Sequence, residues 1–376
     1  MQLCLIAKHL YMPALFILML CSYLGGNMYI YIRGLQALHH LSPIVRWIYS
    51  ILYWACALSI ILIFVLRNAT VSINWSHTLF SIGTGWLVFT LYMVMALLFF
   101  DLLRVINHPI PHSYVISLML TVCILGYGYY RYQQPKTQVI NIDINKSLTD
   151  STQSLKIVAI SDVHLGLGTT KEKLQKYVQM INAQQPDLIV ISGDLIDNSI
   201  TPVRAQKMEE ELSALKAPLG IYMVPGNHEY ISGINDCIEF ISQKTPIHFL
   251  RDSMITLPNG LQLIGRDDYS NTSRKKVSEL IEQANPAYPI LVLDHQPYEL
   301  TASVDGNVDL LFCGHTHDGQ VWPMNYLTSR LFDVSYGHEK RNHTNIYVSS
   351  GLSLWGPPFR VGTNSEMVVF NITLKE

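Results

Sequence analysis

Apolar residues follow two different patterns along this chain. Over the first third they run almost unbroken. Four charge-free stretches lie between Lys8 and Arg33, Arg46 and Arg67, Arg67 and Asp101, and Arg104 and Arg131. Each is apolar enough for a membrane span of about 20 residues. The pattern predicts helices over Leu10–Ile32, Trp47–Leu66, Leu79–Phe100 and Ser113–Tyr130. Tyr29, Tyr31, Trp47, Trp75, Tyr127, Tyr129 and Tyr130 lie at or near the ends, as in interfacial belts. Four such stretches with almost no charged face read as a membrane region, not as buried helices of a soluble protein. The first is long for a cleavable signal peptide and shows no small-x-small cleavage site before Arg33.

Beyond the polar, Pro-broken segment 131–136 the apolar runs become short. Ile140, Ile142 and Ile144 alternate with Asn141 and Asp143, the period of a half-buried strand, while Val139 falls off the pattern. Strand-like runs follow at Leu155–Ile160, Leu188–Ile191, Ile221–Val224, Ile290–Leu293 and Val308–Phe312. Helix-like stretches intervene at Lys171–Gln184 and Arg204–Leu215. Alternation of strand and helix predicts a layered α/β fold. The expected organisation is a four-helix transmembrane region over 1–136 and a second domain over 137–376. Polar residues at the carboxyl ends of the strands would gather in one crevice.

Charge sharpens this division. Residues 1–136 carry seven Lys/Arg and one acid, Asp101; the remainder carries 19 Lys/Arg and 27 Asp/Glu. The formal charges are therefore +6 and −8, which sum to the −2 of the whole chain. An acidic second domain without a basic stripe argues against nucleic acid as a partner. Four spans put both termini on one side. Lys8, Arg67, Arg131 and Lys136 outnumber Arg33, Arg46 and Arg104 by four to three, which leans towards cytoplasmic termini. No charged residue falls inside a predicted span, which favours an anchor over an ion or proton pathway. The six Cys form no CxxC pair and read as small buried hydrophobes. His39-His40 and the His108–His112 loop read as interfacial or solvated imidazoles.

Each strand-like run in the second domain ends on a group that can bind a metal. Leu155–Ile160 leads to Asp162-Val163-His164, and Leu188–Ile191 to Gly193-Asp194. Ile221–Val224 leads to Gly226-Asn227-His228-Glu229, Ile290–Leu293 to His295, and Val308–Phe312 to Gly314-His315-Thr316-His317. Hard and borderline divalent metals take this mixture of oxygen and imidazole ligands. The donors exceed what one tetrahedral site can use, which points to two metals sharing a carboxylate and to hydrolysis of phosphate esters. Asp194 is the natural bridge, because a carboxylate can bind two cations and an imidazole ordinarily cannot. Asp197 reads equally as a group orienting an imidazole or as a helix N-cap. Glu229 is a second candidate for orienting imidazoles.

The series Asp162-x-His164, Gly193-Asp194, Gly226-Asn227-His228-Glu229, His295 and Gly314-His315-x-His317 resembles the calcineurin-like metallophosphoesterase superfamily. The resemblance spans about residues 137–374 and implies a four-layer α/β/β/α sandwich with two metals at the strand ends. By position, one metal would be held by Asp162, His164, Asp194 and His317, and the other by Asp194, Asn227, His295 and His315. The cations would be manganese, iron or zinc. His228 resembles the family's outer-sphere His, which contacts the phosphate and protonates the leaving oxygen. The implied reaction is attack on phosphorus by a hydroxide held between two cations about 3.5–4 Å apart.

Gly314–Gln320, Ile346–Gly351 and Pro358-Phe359-Arg360 are similar to membrane-associated bacterial phosphodiesterases of that superfamily. This similarity implies a multi-pass protein of the bacterial inner membrane. Some relatives hydrolyse the pyrophosphate of UDP-diacylglucosamine; soluble enzymes with that activity carry Arg where His228 stands. The Gly that usually follows the second His is Asp318 here. Arg360 is the candidate phosphate contact. The expected function is a membrane-anchored, dimetal phosphodiesterase or pyrophosphatase acting on a lipid-linked or membrane-proximal ester. A catalytically silent docking protein of the same fold is the competing class, as is a transport or sensor protein. The intact ligand set disfavours the first, and the uncharged spans disfavour the second.

Overall fold

The structure, a computed structural model, describes residues 2–65, 72–150 and 152–375; for residues 2–16, 64, 65 and 73 it describes the backbone. Leu66 and Arg67 lie outside the described residues, as do the side chains that begin the first expected span. The chain divides into two compact units. One runs up to Tyr129 and includes Gly356–Pro358; the other comprises Tyr130–Trp355 and Phe359–Glu376.

Four helices build the first unit: α1 (Gln2–Ala37), α2 (Pro43–Val65), α3 (Ile73–Val105) and α4 (Ser113–Tyr132), whose last turn belongs to the second unit. They outrun the predicted spans because helix continues through the polar flanks. Pro43–Ile63, Asn74–Val105 and Ser113–Tyr132 are long and apolar enough to cross a membrane. Large apolar side chains on these helices stand exposed, among them Ile44, Trp47, Leu102 and Val105. In water that surface would be a liability; in lipid it is the solvated face. Cys21 and Cys123 share it, so these two are not the buried hydrophobes the sequence predicts, whereas Cys237 and Cys313 are buried. Inside the bundle, buried Asn27 accepts from Tyr53 Oη at 2.9 Å and Trp86 Nε1 at 2.8 Å, joining three helices. Arg33 pairs with Asp101 at 2.9 Å, so these two flanking charges neutralise each other between α1 and α3.

The second unit holds two six-stranded sheets. The first contains β1 (Lys136–Ile144), β2 (Ser154–Ile160), β3 (Leu188–Ser192), β4 (Ile221–Val224), β5 (Ile247–Phe249) and β12 (Glu366–Leu374), in the order β1-β12-β2-β3-β4-β5. The second contains β6 (Ser253–Thr256), β7 (Gln262–Gly265), β8 (Ile290–Leu293), β9 (Leu310–Cys313), β10 (Gly337–Arg341) and β11 (Thr344–Val348), in the order β10-β11-β9-β8-β7-β6. Strand alternation sorts the side chains into three cores. Ile157, Ala159, Leu188 and Val190 point between the sheets, where they share one core with Leu291, Leu293, Leu310 and Phe312. Val158, Ile160, Ile189 and Ile191 face the other way, onto α5 (Lys171–Asn182) and its neighbours. Ile290, Val292, Leu311 and Cys313 face the helices on the outer side of the second sheet. Three cores between four layers are the α/β/β/α sandwich expected. Burial on both faces explains why these strands read as continuous apolar runs.

Two local readings change. β1 starts at Lys136 and passes through Val139, which is exposed in spite of its apolar side chain. The stretch Arg204–Leu215 is not one helix but two turns, Thr201–Ala205 and Glu209–Leu212, separated by Lys207 at φ 52°. A left-handed residue cannot continue a right-handed helix. Val203 and Met208 are five positions apart, so a straight helix would place them on different faces; the break brings both into the core.

Candidate metal centre

β2, β3 and β4 lie side by side and parallel, as do β8 and β9, so their carboxyl ends share one edge of the sandwich. Asp162 follows β2 by two residues, Asp194 follows β3 by two, His295 follows β8 by two and His315 follows β9 by two; Asn227 follows β4 by three. Ser192 ties the two sheets at this edge. Its hydroxyl lies 3.0 Å from the carbonyls of Asp294 and Phe312. Its own carbonyl meets His295 Nδ1 at 2.8 Å and fixes that ring.

The backbone here is bent into an uncommon conformation. Asp162 (φ 53°), His164 (49°), Asp194 (52°), His315 (74°) and His317 (50°) are all left-handed. Each costs about 1–3 kcal/mol and persists where neighbours hold it. Asp162 N–H donates to Gly193 O at 3.1 Å, His164 N–H to Asp194 O at 3.0 Å, and His315 N–H to the Asp162 carboxylate at 3.0 Å. Asp318 takes φ 50° too, a conformation that the Gly usual at this position adopts freely.

These bends aim the side chains at one another. His164 Nε2 and His317 Nε2 are 3.1 Å apart, and Asp162 Oδ1 lies 3.5 Å from His317 Nε2. Asp194 Oδ2 lies 3.8 Å from His164 Nε2 on one side and 3.2 Å from His295 Nε2 on the other. Asn227 Oδ1 is 3.2 Å from His295 Nε2. The ligating atoms of Asp162, His164 and His317 lie within 4.8 Å of one another, and so do those of Asp194, His295 and His315. His228 joins a third such group with His164 and Asp194. The structure thus brings together all seven expected ligands and His228. Two imidazole nitrogens facing each other at 3.1 Å beside buried carboxylates gain most when cations take up their lone pairs. The donor set therefore fits divalent metals.

Electrostatics follow from packing so many ionisable groups in a dry place. Burial raises the Asp194 carboxyl, but His295 outweighs it and holds the pKa well below the ordinary range. Burial works against the His295 imidazolium, yet Asp194 raises its pKa well above the usual value. His315 is pushed down to about 3 by burial and by His295, and His317 falls well below normal through burial and His164. Glu229 rises to about 7 through burial and Asp194.

Three supporting residues take definite roles. Asp197 is no N-cap, since the helix after it is capped by Ile200. It is buried, with Oδ1 3.6 Å from His164 Nδ1 and 3.0 Å from His228 Nδ1, the latter an ion-pair distance outside hydrogen-bond geometry. Glu229 orients backbone instead of an imidazole: it accepts from the N–H groups of Asp194 (2.9 Å), Ile196 (2.9 Å) and Gly226 (2.7 Å). Arg360 departs from the phosphate-contact expectation. It is completely buried, and its guanidinium donates to the carbonyls of His317 (2.6 Å), Ser350 and Ser353 (3.2 Å). Enclosed beneath the His317 loop, its guanidinium is engaged with that loop's backbone. No motif or periodicity marks Trp355, an exposed ring 6.1 Å from His228.

Gly226 shows how tight the site is. A Cβ there would collide with Asp194 Oδ1 and stand 2.6 Å from its backbone N. Gly226→Ala is expected to weaken metal binding by about 10–100-fold, the scale for disturbing a ligand's support. Metal titration of the purified variant checks this; unchanged affinity contradicts the geometry.

Residues 155–319 match the family described as calcineurin-like phosphoesterase. The chain is 32% identical over 270 residues to an uncharacterized metallophosphoesterase of Helicobacter pylori, covering 69% of this chain and 71% of the relative. It is 31% identical over 264 residues to the metallophosphoesterase YkuE of Bacillus subtilis, covering 66% of this chain and 90% of the relative. A transmembrane protein with metallophosphoesterase domain from Danio rerio is 30% identical over 278 residues, covering 70% of this chain and 62% of that protein. Relatives thus occur in vertebrates as well as in bacteria. Sequence similarity across the catalytic unit and two convergent donor clusters lead to one conclusion: the chain belongs to the calcineurin-like metallophosphoesterase family, metal-dependent phosphoric ester hydrolases with two divalent cations as cofactor.

Proposed function

We propose that this protein is a membrane-anchored phosphohydrolase that cleaves a phosphodiester or pyrophosphate in a lipid-linked or membrane-proximal substrate. The observation that carries the reading is Asp194 Oδ2, poised between His164 and His295, in a unit joined to an apolar helix by three residues. Asp162, His164, Asp194 and His317 would hold one cation; Asp194, Asn227, His295 and His315 would hold the other. When bound, the pair supplies Lewis acidity at the phosphoryl oxygens and a water acidic enough to serve as nucleophile.

The remaining work falls to the chain. Asp197 beside Nδ1 of His228 leaves Nε2 as the nitrogen that delivers a proton to the leaving oxygen. Burial disfavours the His228 imidazolium, but Asp197 and Asp194 outweigh it and raise the pKa, which favours the proton-carrying form. Glu229 keeps the Asp194 and Gly226 loops in register.

Metal loading should release protons, because ligating imidazoles must be neutral. Without metal, Asp194 outweighs burial and favours the imidazolium of His295, whereas burial favours the neutral forms of His315 and His317. Protons, that of His295 among them, should therefore leave on metal binding, and affinity should fall as pH drops. Calorimetry in two buffers of different ionisation enthalpy measures this; zero release contradicts the assignment of His295.

Only residues 133–135 separate α4 from β1, a reach of at most about 14 Å. The catalytic unit therefore stays near the bilayer. Removing residues 1–129 should preserve hydrolysis of soluble bis-p-nitrophenyl phosphate and sharply reduce hydrolysis of a lipid-linked ester in vesicles, because proximity is lost. Equal retention on both substrates would contradict the lipid-linked reading.

A further inference from the structure

The catalytic unit carries a cluster of apolar side chains that its fold leaves uncovered. Trp322, Met324, Tyr326, Leu327 and Leu331 are all exposed and fall within ten residues, with Tyr326 at 61% and Leu331 at 65%. Met324–Leu331 is a helix with no buried residue, so burial of its own apolar side chains cannot be what holds it in place. It is fixed by backbone. Trp322 N–H donates to Val361 O at 2.7 Å, and Met324 N–H to Val321 O at 2.8 Å. The one charge within 322–331 is Arg330.

The position of this helix says what covers it. Arg131, in the last turn of the apolar helix α4, donates to Asn364. Val361, which receives Trp322, lies three residues before Asn364, a separation of at most about 11 Å. The exposed cluster is thus tied by one short loop to the point where α4 leaves its apolar stretch. Tyr132, the final residue of α4, meets Ser353 Oγ at 3.1 Å, and Trp355, two residues further on, is 52% exposed. Each of two exposed Trp is therefore linked by a few residues to a contact of the α4 terminus. Trp, Tyr, Leu and Met with a single cation are the composition of a helix lying in a membrane interface.

We infer that Trp322–Leu331, together with Trp355, is a bilayer-docking surface that lies in the headgroup region of the membrane in which the chain is anchored. Its apolar face would enter about 5–10 Å, the usual depth for such helices. The helix is built into the site's framework. It begins seven residues after His317, and Phe332 at its end packs edge-on to His315 at 6.0 Å. Trp355 stands beside His228. Docking this face would bring the membrane surface to the elements that carry His315 and His228. The assignment stands on exposure and chain connection and does not depend on which ester is cleaved.

The test uses the full chain reconstituted in vesicles of phosphatidylethanolamine and phosphatidylglycerol. Photoreactive p-benzoylphenylalanine replaces Tyr326 or Leu331, and replaces Gln179, an exposed position on α5, as control. Irradiation should add the mass of one phospholipid at 326 and at 331 but not at 179. Crosslinking of 326 to a second copy of the chain would overturn the proposal in favour of a dimer contact. No adduct at 326 or 331 above that at 179 would overturn it outright. Both replaced side chains are exposed, and turnover of bis-p-nitrophenyl phosphate by the variants confirms that the site is intact. Hydrolytic failure with lipid adducts present would count against the proposed reaction while leaving the surface assignment standing.

Discussion

Asp194→Asn should lower turnover by roughly a thousandfold or more and disturb both cation sites together. One oxygen of Asp194 lies 3.8 Å from His164 Nε2 and 3.2 Å from His295 Nε2, so this side chain alone serves both donor clusters. Asn keeps the shape but removes the charge and one acceptor. Its amide nitrogen would place hydrogens where a cation must sit. Loss of the several kcal/mol that bound metals give to transition-state charge corresponds to three decades or so at 1.4 kcal/mol per decade. The other carboxylate oxygen accepts from His228 N–H at 2.9 Å, so the amide can keep that contact and the fold. Metal analysis alongside turnover checks the claim. A variant that retains full metal content and activity would show that another group bridges the sites.

His228→Ala should separate the two functions. Metal content should remain near that of the parent, and turnover should fall by about 10²–10⁴-fold, the usual contribution of a general acid. His228 sits one residue after Asn227 in the short helix Asn227–Ser232, with Asp197 Oδ1 3.0 Å from Nδ1. It is adjacent to the ligand set, in contact with His164 at a ring separation of 4.6 Å, but need not be within it. The loss should be smaller for an ester with a good leaving group such as p-nitrophenolate, which departs without a proton. Equal losses across leaving groups would remove the acid role, and an emptied metal site would make His228 a ligand.

The sequence was most readable where burial was most symmetrical. β2, β3, β4, β8 and β9 are covered on both faces, so each appears as a largely apolar run, broken in β2 by Lys156, and each run ends at a donor. β10 offers no such signal: Gly337-His-Glu-Lys-Arg341 is an edge strand held by its ladder to β11. β12 is apolar, but its insertion between β1 and β2 rests on pairings such as Lys136 with Glu366, across 230 residues that periodicity cannot connect. Lys207 breaks a helix for a core reason that appears only once Met208 has somewhere to go.

Within the site, identities were legible and conformations were not. Spacing gives Asp162 and His164 a common direction if the segment is extended. In fact both are left-handed and converge because neighbouring loops hydrogen-bond to them. Arg360 illustrates the limit best. An Arg near a phosphate site is expected to bind the anion, yet burial against carbonyls from the His317, Ser350 and Ser353 loops turns it into a brace. Those carbonyls come together only in three dimensions.

The central claim is a pair of divalent cations held by seven side chains in a hydrolytic site. Its most direct test is metal content of the full chain purified in detergent, reconstituted with manganese and desalted, with bis-p-nitrophenyl phosphate turnover followed on the same sample. Close to two equivalents per chain are expected, with turnover lost on chelation and restored on adding metal back. Fewer than one equivalent, or turnover that survives complete removal of metal, would contradict it.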